Sequence, residues 1–242
     1  MPTSQQVDIL AIGAHPDDIE LACAGTIIKE VANGKKVGLV DLTQGELGTR
    51  GSAELRLQEA EASRQILGAD YRINLEFKDG FFTHDQEHLM PLISAIRASK
   101  AEIVFANAMH DRHPDHGRAG KLISEACFLA GLPKVKTELD GVEQEAHRPR
   151  LVLHYNQDRL LKPDVCIDIT DQIETKMKAI MAFSSQFHNP NSTEPETEIS
   201  SKGFLDFIKG RAMEYGRPIG SAYAEGFKCE RYLGVKSPFD LL

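Results

Sequence analysis

Residues 7–43 of this 242-residue chain read VDILAIGAHPDDIELACAGTIIKEVANGKKVGLVDLT, and this stretch decides the fold. The apolar run at 7–14 predicts a buried β-strand, and 37–43 predicts a second one. Between them, 18–33 predicts an amphipathic helix that ends at Gly34. A strand, a helix and a strand in this order predict the βαβ unit of a parallel sheet.

The same alternation continues through the first half of the chain. Further strands are predicted at 71–77 and 101–108, and further helices at 52–67, 86–99 and 117–130. Repeated units of this kind predict an α/β fold with a Rossmann-like, mostly parallel sheet and helices on both faces. Gly13 is followed by Ala14, His15 and Pro16 instead of a G-x-G-x-x-G pattern, which argues against a nicotinamide or flavin site.

The second half of the sequence is less regular. It predicts a loop over 139–150, strands over 151–155 and 165–170, helices over 171–181 and 204–215, and an exposed loop over 189–197 that could act as a lid. The chain offers no internal repeat and no convincing linker. We therefore expect a single domain over 1–242, with a regular half at 1–131 and a less regular half at 132–242.

Composition excludes several classes of protein. The chain has 36 acidic and 28 basic residues, for a formal net charge of −8, which disfavours a nucleic-acid-binding face. It contains no apolar run near the ~18 residues that span a bilayer, so we expect no membrane association. Residues 1–6 lack the pattern of a signal peptide, and the four cysteines are scattered, which together predict a cytoplasmic protein with reduced thiols.

Polar side chains accumulate where the predicted strands end. Such clusters follow the first, second and fourth strands, at 15–20, 44–51 and 110–116. Because the carboxyl ends of parallel strands share one edge of the sheet, we expect these clusters to form one ligand site there.

Two imidazoles and a carboxylate in such a cleft suit a zinc-type ion with an open position. His15 and Asp18 lie three residues apart at a strand-to-helix corner, and His116 can complete the set. Asp17 would then be free to act as a base. The alternatives are that Asp17 and Asp18 only cap a helix, that His113 and His116 bind nothing, or that His110 joins them as an H-x-x-H-x-x-H ligand.

These residues also carry a resemblance to a known family. The motifs AHPDDIE (14–20) and HPDH (113–116) resemble the paired signature of the LmbE-like, or PIG-L, family of zinc-dependent N-acetylglucosaminyl deacetylases. The segments TQGE (43–46) and GTRG (48–51), with Gly226-Phe227, are similar to the bacillithiol-biosynthesis branch of that family. Ala22 and Ala24 replace glycines of that branch, a change expected to tighten helix packing near the metal.

The resemblance implies roles for individual residues. It implies His15, Asp18 and His116 as ligands of one Zn²⁺ per chain, with Fe²⁺ as the other metal that this donor set accepts. It implies Asp17 as the general base and His113 as the group that stabilises the oxyanion. Asp115 would orient the His113 ring and raise its pKa. A bound zinc ion lowers the pKa of water from ~15.7 towards 7, and Asp17 would take the proton and return it to the leaving amine.

Substrate contacts are predicted with less guidance from the motifs. Arg50 is expected to grip the substrate, preferably the carboxylate of an anionic aglycone, because its loop is flanked by glycines and its guanidinium matches a carboxylate. Other expected contacts near strand ends are Glu46, Arg112 and Asn156. His154 could also line the cleft. Positions on the surface or in loops are expected for His84, His88, His147 and His188.

The resemblance implies a hydrolase that removes acetate from N-acetylglucosaminyl-malate in bacillithiol biosynthesis. It also implies a small-molecule substrate and a homo-oligomer. The sequence leaves open a deacetylase of another N-acetylglucosamine conjugate, a non-catalytic sugar-binding protein of the same fold, and a metal-dependent phosphoesterase. The phosphoesterase needs a second metal and extra ligands that the sequence does not plainly supply.

Overall fold

The computed structural model describes residues 6–187 and 192–241. The strands are β1 (Ile9–Gly13), β2 (Val37–Thr43), β3 (Tyr71–Phe77), β4 (Ile103–Asn107), β5 (Glu138–Leu139), β6 (Val142–Glu143), β7 (Leu151–Tyr155), β8 (Val165–Asp168) and β9 (Ala224–Cys229). The helices are α1 (Asp18–Ala32), α2 (Ala53–Leu67), α3 (Gln86–Ser99), α4 (Pro114–Ala130), α5 (Ile173–Met181) and α6 (Lys202–Gly216). His188 and the first part of the predicted 189–197 loop lie outside the described residues.

The central sheet has the strand order β3-β2-β1-β4-β7-β9-β8. Its first five strands are parallel neighbours, and β9 runs antiparallel to both β7 and β8. From β1 the chain first builds β2 and β3 on one side and then crosses to β4 on the other. The carboxyl ends of β1 and β4 therefore flank the point where the strand order reverses, which is where open α/β sheets bind ligands.

Helices cover both faces of this sheet. Leu10 and Ile12 of β1 face one way and belong to the core beneath α3 and α4. Ile9 and Ala11 alternate with them and belong to the core that includes side chains of α1, α2 and α5. This two-faced burial confirms the predicted α/β, mostly parallel architecture. Within the described residues, no helix combines the length and apolar character needed to cross a membrane.

The structure corrects the predicted start of one helix. Helix α4 begins at Pro114, three residues before the predicted Gly117. Proline is well suited to the first helical position, because its φ is already helical and its missing N–H would have no partner there. His113 is the N-cap residue and its ring accepts a hydrogen bond from the Asp115 N–H. His116 therefore lies in the first turn of α4, and His113 caps that helix.

Strands were also missed in the second half. The predicted 139–150 loop contains the turn of a two-stranded hairpin, β5–β6, with positive φ at Asp140 (52°) and Gly141 (78°). An Asp-Gly pair is a hairpin signal, so the sequence carried this information. Strand β9 was not predicted because its sequence, AEGFKC, shows no clean period and includes Gly226, against which Tyr215 and Pro163 pack closely.

Candidate metal centre and active site

The functional side chains come from the ends of two neighbouring strands. His15 follows β1 by two residues, Asp18 is the first residue of α1, and His116 is the third residue of α4. The pairing of β1 with β4 places these segments side by side. The predicted convergence at one sheet edge therefore occurs.

The Asp18 carboxylate lies between two imidazole rings. Its Oδ2 is 3.6 Å from His15 Nδ1, and its Oδ1 is 3.2 Å from His116 Nε2. His113 lies beside both rings, with one nitrogen each from His15, His113 and His116 within 4.8 Å of one another. The His110 ring instead contacts Arg159, at 2.7 Å.

Carboxylates stand behind both rings that face Asp18. His15 Nε2 is 3.2 Å from Asp79 Oδ1 and 3.4 Å from Asp115 Oδ2. His116 Nδ1 is 2.7 Å from Asp111 Oδ2. Each ring therefore has one nitrogen held by a carboxylate and the other turned towards Asp18, as is usual for histidines that ligate a metal.

The electrostatics of this cluster fit a bound cation. Burial disfavours a charged ring, yet Asp18 and Asp111 raise the pKa of His116 to about 9. Burial acts the same way on His15, but Asp115, Asp18 and Asp79 raise its pKa well above the ordinary value. Carboxylates that favour positive charge this strongly, around a donor set of two imidazoles and one carboxylate, suit a divalent ion such as Zn²⁺ or Fe²⁺.

Asp17 is set apart from Asp18 by its backbone. It adopts φ 125°, a conformation rare for a residue with a side chain, and such strain concentrates at functional sites. Its carboxylate makes no N-cap hydrogen bond and instead pairs with Arg56 Nη2 at 3.0 Å. Burial raises the pKa of Asp17 to about 6, with Arg56 opposing the rise. A carboxylate with this pKa can accept a proton near neutral pH.

His113 is oriented differently from the sequence-based expectation. The peptide N–H of Asp115 donates to His113 Nδ1 at 3.3 Å, so the proton of the neutral ring is on Nε2. The Asp115 carboxylate points elsewhere and accepts hydrogen bonds from the Gly80 N–H and from Arg118. Burial, with the neighbouring His15 as a further cause, lowers the pKa of His113, where a rise was expected. The neutral ring can still donate its Nε2–H to a carbonyl oxygen.

A cavity of about 350 Å³ opens over the cluster. Asp17, Asp18 and the three histidines form its floor, and its walls include Gln157, Asp158, Glu198, Phe204, Phe207 and Ile208. The arginines among the described residues that line it are Arg56 and Arg112. Arg56 pairs with Asp17, and Arg112 pairs with Asp158 (2.9 Å) and Glu198 (3.2 Å).

Of the four expected substrate contacts, only Arg112 lies in this lining. Arg50 is buried and donates to Ser192 Oγ at 2.8 Å, with Glu194 3.7 Å from its Nε. Glu46 accepts a hydrogen bond from the Asp79 N–H, and thereby supports a carboxylate that holds His15. Asn156 donates to Leu161 O and to the Tyr215 hydroxyl, beside a different and very small cavity.

The other histidines lie outside the lining of the cavity as described. His154 is buried, with its ring nitrogens against Asn107 O and Glu230. His84, His88 and His147 contact Glu125, Asp85 and Ala101 O.

Sequence reasoning missed several residues that shape the site. Asp79 follows the carboxyl end of β3, so the strand-end argument applied to 44–51 could have found it. Asp111 lies inside the 110–116 cluster, but no role was predicted for it from the sequence. Arg56 and Gln157 carry no local signal, because their contacts with Asp17 and Asp18 span 39 and 139 residues of sequence.

Comparisons with known proteins show the family to which the chain belongs. Residues 10–127 match the family described as GlcNAc-PI de-N-acetylase, PIG-L. The chain is 30% identical over 237 residues to a diacetylchitobiose deacetylase of Thermococcus kodakarensis, covering 94% of this chain and 84% of that protein. Its structure is similar to that of a conserved protein of Thermus thermophilus, with TM-score 0.84, 33% identity, and coverage of 95% and 98%.

A weaker similarity bears on the predicted branch. A probable N-acetyl-alpha-D-glucosaminyl L-malate deacetylase 2 of Bacillus anthracis is 24% identical over 192 residues, covering 74% of this chain and 81% of that protein. The similarities therefore establish the deacetylase family and leave the bacillithiol branch as a prediction.

Proposed function

Because the chain belongs to the GlcNAc-PI de-N-acetylase, or PIG-L, family, we propose that it is a metal-dependent deacetylase of an N-acetylglucosamine conjugate whose second group is neutral. One observation carries the reaction. Asp18 lies between His15 and His116 at the base of a cavity, while Asp17 and His113 face the same space.

The side chains present can perform amide hydrolysis. A divalent ion held by His15, Asp18 and His116 would supply a Lewis acid that polarises the acetyl carbonyl and activates water. Asp17 accepts the proton of the attacking water and returns it to the departing amine. The Nε2–H of His113 donates to the oxygen on which negative charge develops, a contact worth about 3 to 4 kcal/mol in other enzymes.

The walls of the cavity favour a neutral second group. Arg56 and Arg112 already pair with carboxylates, so an anionic group would have to displace one of these partners. The apolar side of the wall is formed by Phe204, Phe207 and Ile208. Largely apolar walls with a few placed polar groups suit a second sugar ring, as in a diacetylated disaccharide.

The malate conjugate is the second candidate. The observation that favours it is Arg112, whose side chain is partly exposed and reaches two acidic residues at the cavity. A substrate carboxylate could replace Glu198 as its partner and form a bidentate pair.

A sugar-binding role and a phosphoesterase activity fit the site less well. A non-catalytic sugar-binding protein has no need of a general base, yet Asp17 is held in a strained conformation facing the cavity. A phosphoesterase with two metals would need a second ligand set. The second described cluster, His15 with Asp79 and Asp115, reuses His15, and Asp115 is already engaged by Arg118.

A substrate panel tests the proposal. Zinc-loaded protein is incubated with N-acetylglucosamine, diacetylchitobiose and N-acetylglucosaminyl-malate, and the free amine is measured. We expect the highest kcat/KM for diacetylchitobiose. Preference for the malate conjugate would overturn the neutral second group, and no amine from any substrate, with binding intact, would favour a sugar-binding role.

A further inference from the structure

Two neutral amides donate hydrogen bonds to the Asp18 carboxylate, beside the His15 and His116 rings that face it. Asn107 Nδ2 donates to Asp18 Oδ2 at 3.0 Å, and Gln157 Nε2 donates to Asp18 Oδ1 at 2.6 Å. Both amides are buried. The surroundings of Asp18 thus differ from those of His15 and His116, which are backed by carboxylates.

The orientation of the Asn107 amide is fixed by its two partners. Its Oδ1 accepts the Ala14 N–H at 2.9 Å, so its nitrogen must face the Asp18 carboxylate. Asn107 is the last residue of β4, has no exposed surface, and its carbonyl oxygen is 2.6 Å from His154 Nδ1. Asn107 is therefore held both at its backbone carbonyl and at its side-chain amide.

We propose that Asn107 is a positioning residue that, together with Gln157, fixes the plane of the Asp18 carboxylate for cation binding. The terminal torsion of aspartate is broad, so hydrogen bonds are needed to select one orientation. Oδ2 also accepts the His15 N–H at 3.0 Å, so with Gln157 on Oδ1 the remaining lone pair of Oδ1 faces His116. This inference rests on the proposed metal-dependent function.

The chemistry of the amide explains why it occupies this place. A lysine or arginine here would neutralise the negative charge that attracts the cation. A carboxylate would repel Asp18 and could not donate to it when ionised. An amide donates without either effect, and asparagine also supplies the acceptor that the Ala14 N–H requires.

Zinc affinity, measured by competition with a chromophoric chelator, tests the proposal without any assay of deacetylation. We expect Asn107→Ala to bind Zn²⁺ about 10- to 100-fold more weakly than the wild type, the usual effect of losing a partner of a ligand. Asn74→Ala is the matched control. Like Asn107, Asn74 donates one hydrogen bond and accepts one: it donates to Thr43 O and accepts from the Glu76 N–H. We expect it to keep the wild-type affinity even if both variants lose stability.

A second variant tests the proposal if Asn107→Ala does not fold. Gln157→Leu removes the other amide with little change in volume, and we expect a loss in the same range. The visible spectrum of bound Co²⁺ should change in both variants, since it reports the ligand geometry. Wild-type affinity in either folded variant would overturn the proposal. A wild type that binds zinc but releases no amine would instead contradict the proposed function alone.

Discussion

Asp17 and Asp18 are adjacent residues with opposite electrostatic surroundings. Burial opposes ionisation of both, but His116 and His15 hold the pKa of Asp18 well below its usual range. Burial wins at Asp17, whose pKa rises to about 6. Asp18 therefore remains an anion that can bind a cation, while Asp17 can exchange a proton. The two residues also differ in backbone conformation, since Asp17 has a positive φ of 125°.

The Asp17→Asn variant tests this division. We expect it to keep its metal content and to lose about 10²- to 10⁴-fold in kcat, because an amide has the same shape but cannot accept the proton. Asp158→Asn is the control, since Asp158 is a second carboxylate that lines the same cavity, and it pairs with Arg112. Near-normal turnover in metal-loaded Asp17→Asn would show that another group is the base.

At this scale the sequence predicts the residues that lie in short motifs at strand ends. His15, Asp18 and His116 come together as expected because topology alone brings the ends of β1 and β4 side by side. Asp115 was assigned the wrong partner for its carboxylate, because the backbone at the start of α4 decides its direction. The cation partners were also beyond sequence reasoning, since Arg50 reaches Ser192 across 142 residues.

A buried ion cluster joins α1 to the strands beside it. Arg72 of β3 binds Asp41 of β2 through two nitrogens, at 2.6 and 2.8 Å, and Glu20 of α1 at 2.6 Å. All three side chains are at most 5% exposed. The cluster fixes the helix that begins with Asp18 relative to the sheet.

Removing the cation of this cluster should strongly destabilise the protein. We expect Arg72→Met to lower the free energy of unfolding by about 3 to 5 kcal/mol, because it leaves two buried carboxylates without their cationic partner. Lys209→Met, which breaks the exposed pair with Glu174, should cost no more than about 1 kcal/mol. Urea unfolding measures both, and equal losses would contradict a stabilising role for the cluster.

Residues 192–200 form a segment that is attached at two places by arginines. Arg50 holds Ser192 and Glu194, and Arg112 holds Glu198. Thr197, Glu198 and Ile199 lie in the lining of the cavity. Arg50 does not line the cavity itself, and it supports this wall through its contacts with Ser192 and Glu194.

This placement changes the result expected for Arg50→Ala. Direct binding of an anionic aglycone, the role expected for Arg50 from the sequence, predicts a loss confined to the malate conjugate. Support of a wall instead predicts a similar drop in kcat/KM for every substrate. Glu194→Gln, which weakens the same attachment from the other side, should produce the same uniform pattern. A loss restricted to the malate conjugate would restore the direct role of Arg50 in binding.

Elements with a clear period were predicted best. The buried runs that became β1 and β2 and the amphipathic run that became α1 needed only local pattern. Strand β9 could not be predicted in this way, because it is stabilised by pairing with β7 and β8, which are distant in sequence.

For the whole molecule, metal binding should be linked to stability. A ligand that binds only the folded state at 100 times its dissociation constant stabilises it by about 2.7 kcal/mol. We expect chelation to remove this stabilisation and to lower the melting temperature of the wild type. His116→Ala should hold little metal by elemental analysis and should not respond to the chelator. Full metal occupancy in that variant would contradict the assignment of His116.

The proposed catalytic residues and part of the cavity wall come from different halves of the chain. Every proposed ligand, the base and His113 precede residue 131, whereas Asp158, Phe204 and Phe207 in the cavity walls follow it. Exchanging the later walls between relatives should retarget the enzyme to new substrates while its chemistry is inherited unchanged. Gln157 is the exception, because it comes from the later half and yet touches Asp18. A chimera that transplants the walls should therefore retain glutamine at position 157 to remain active.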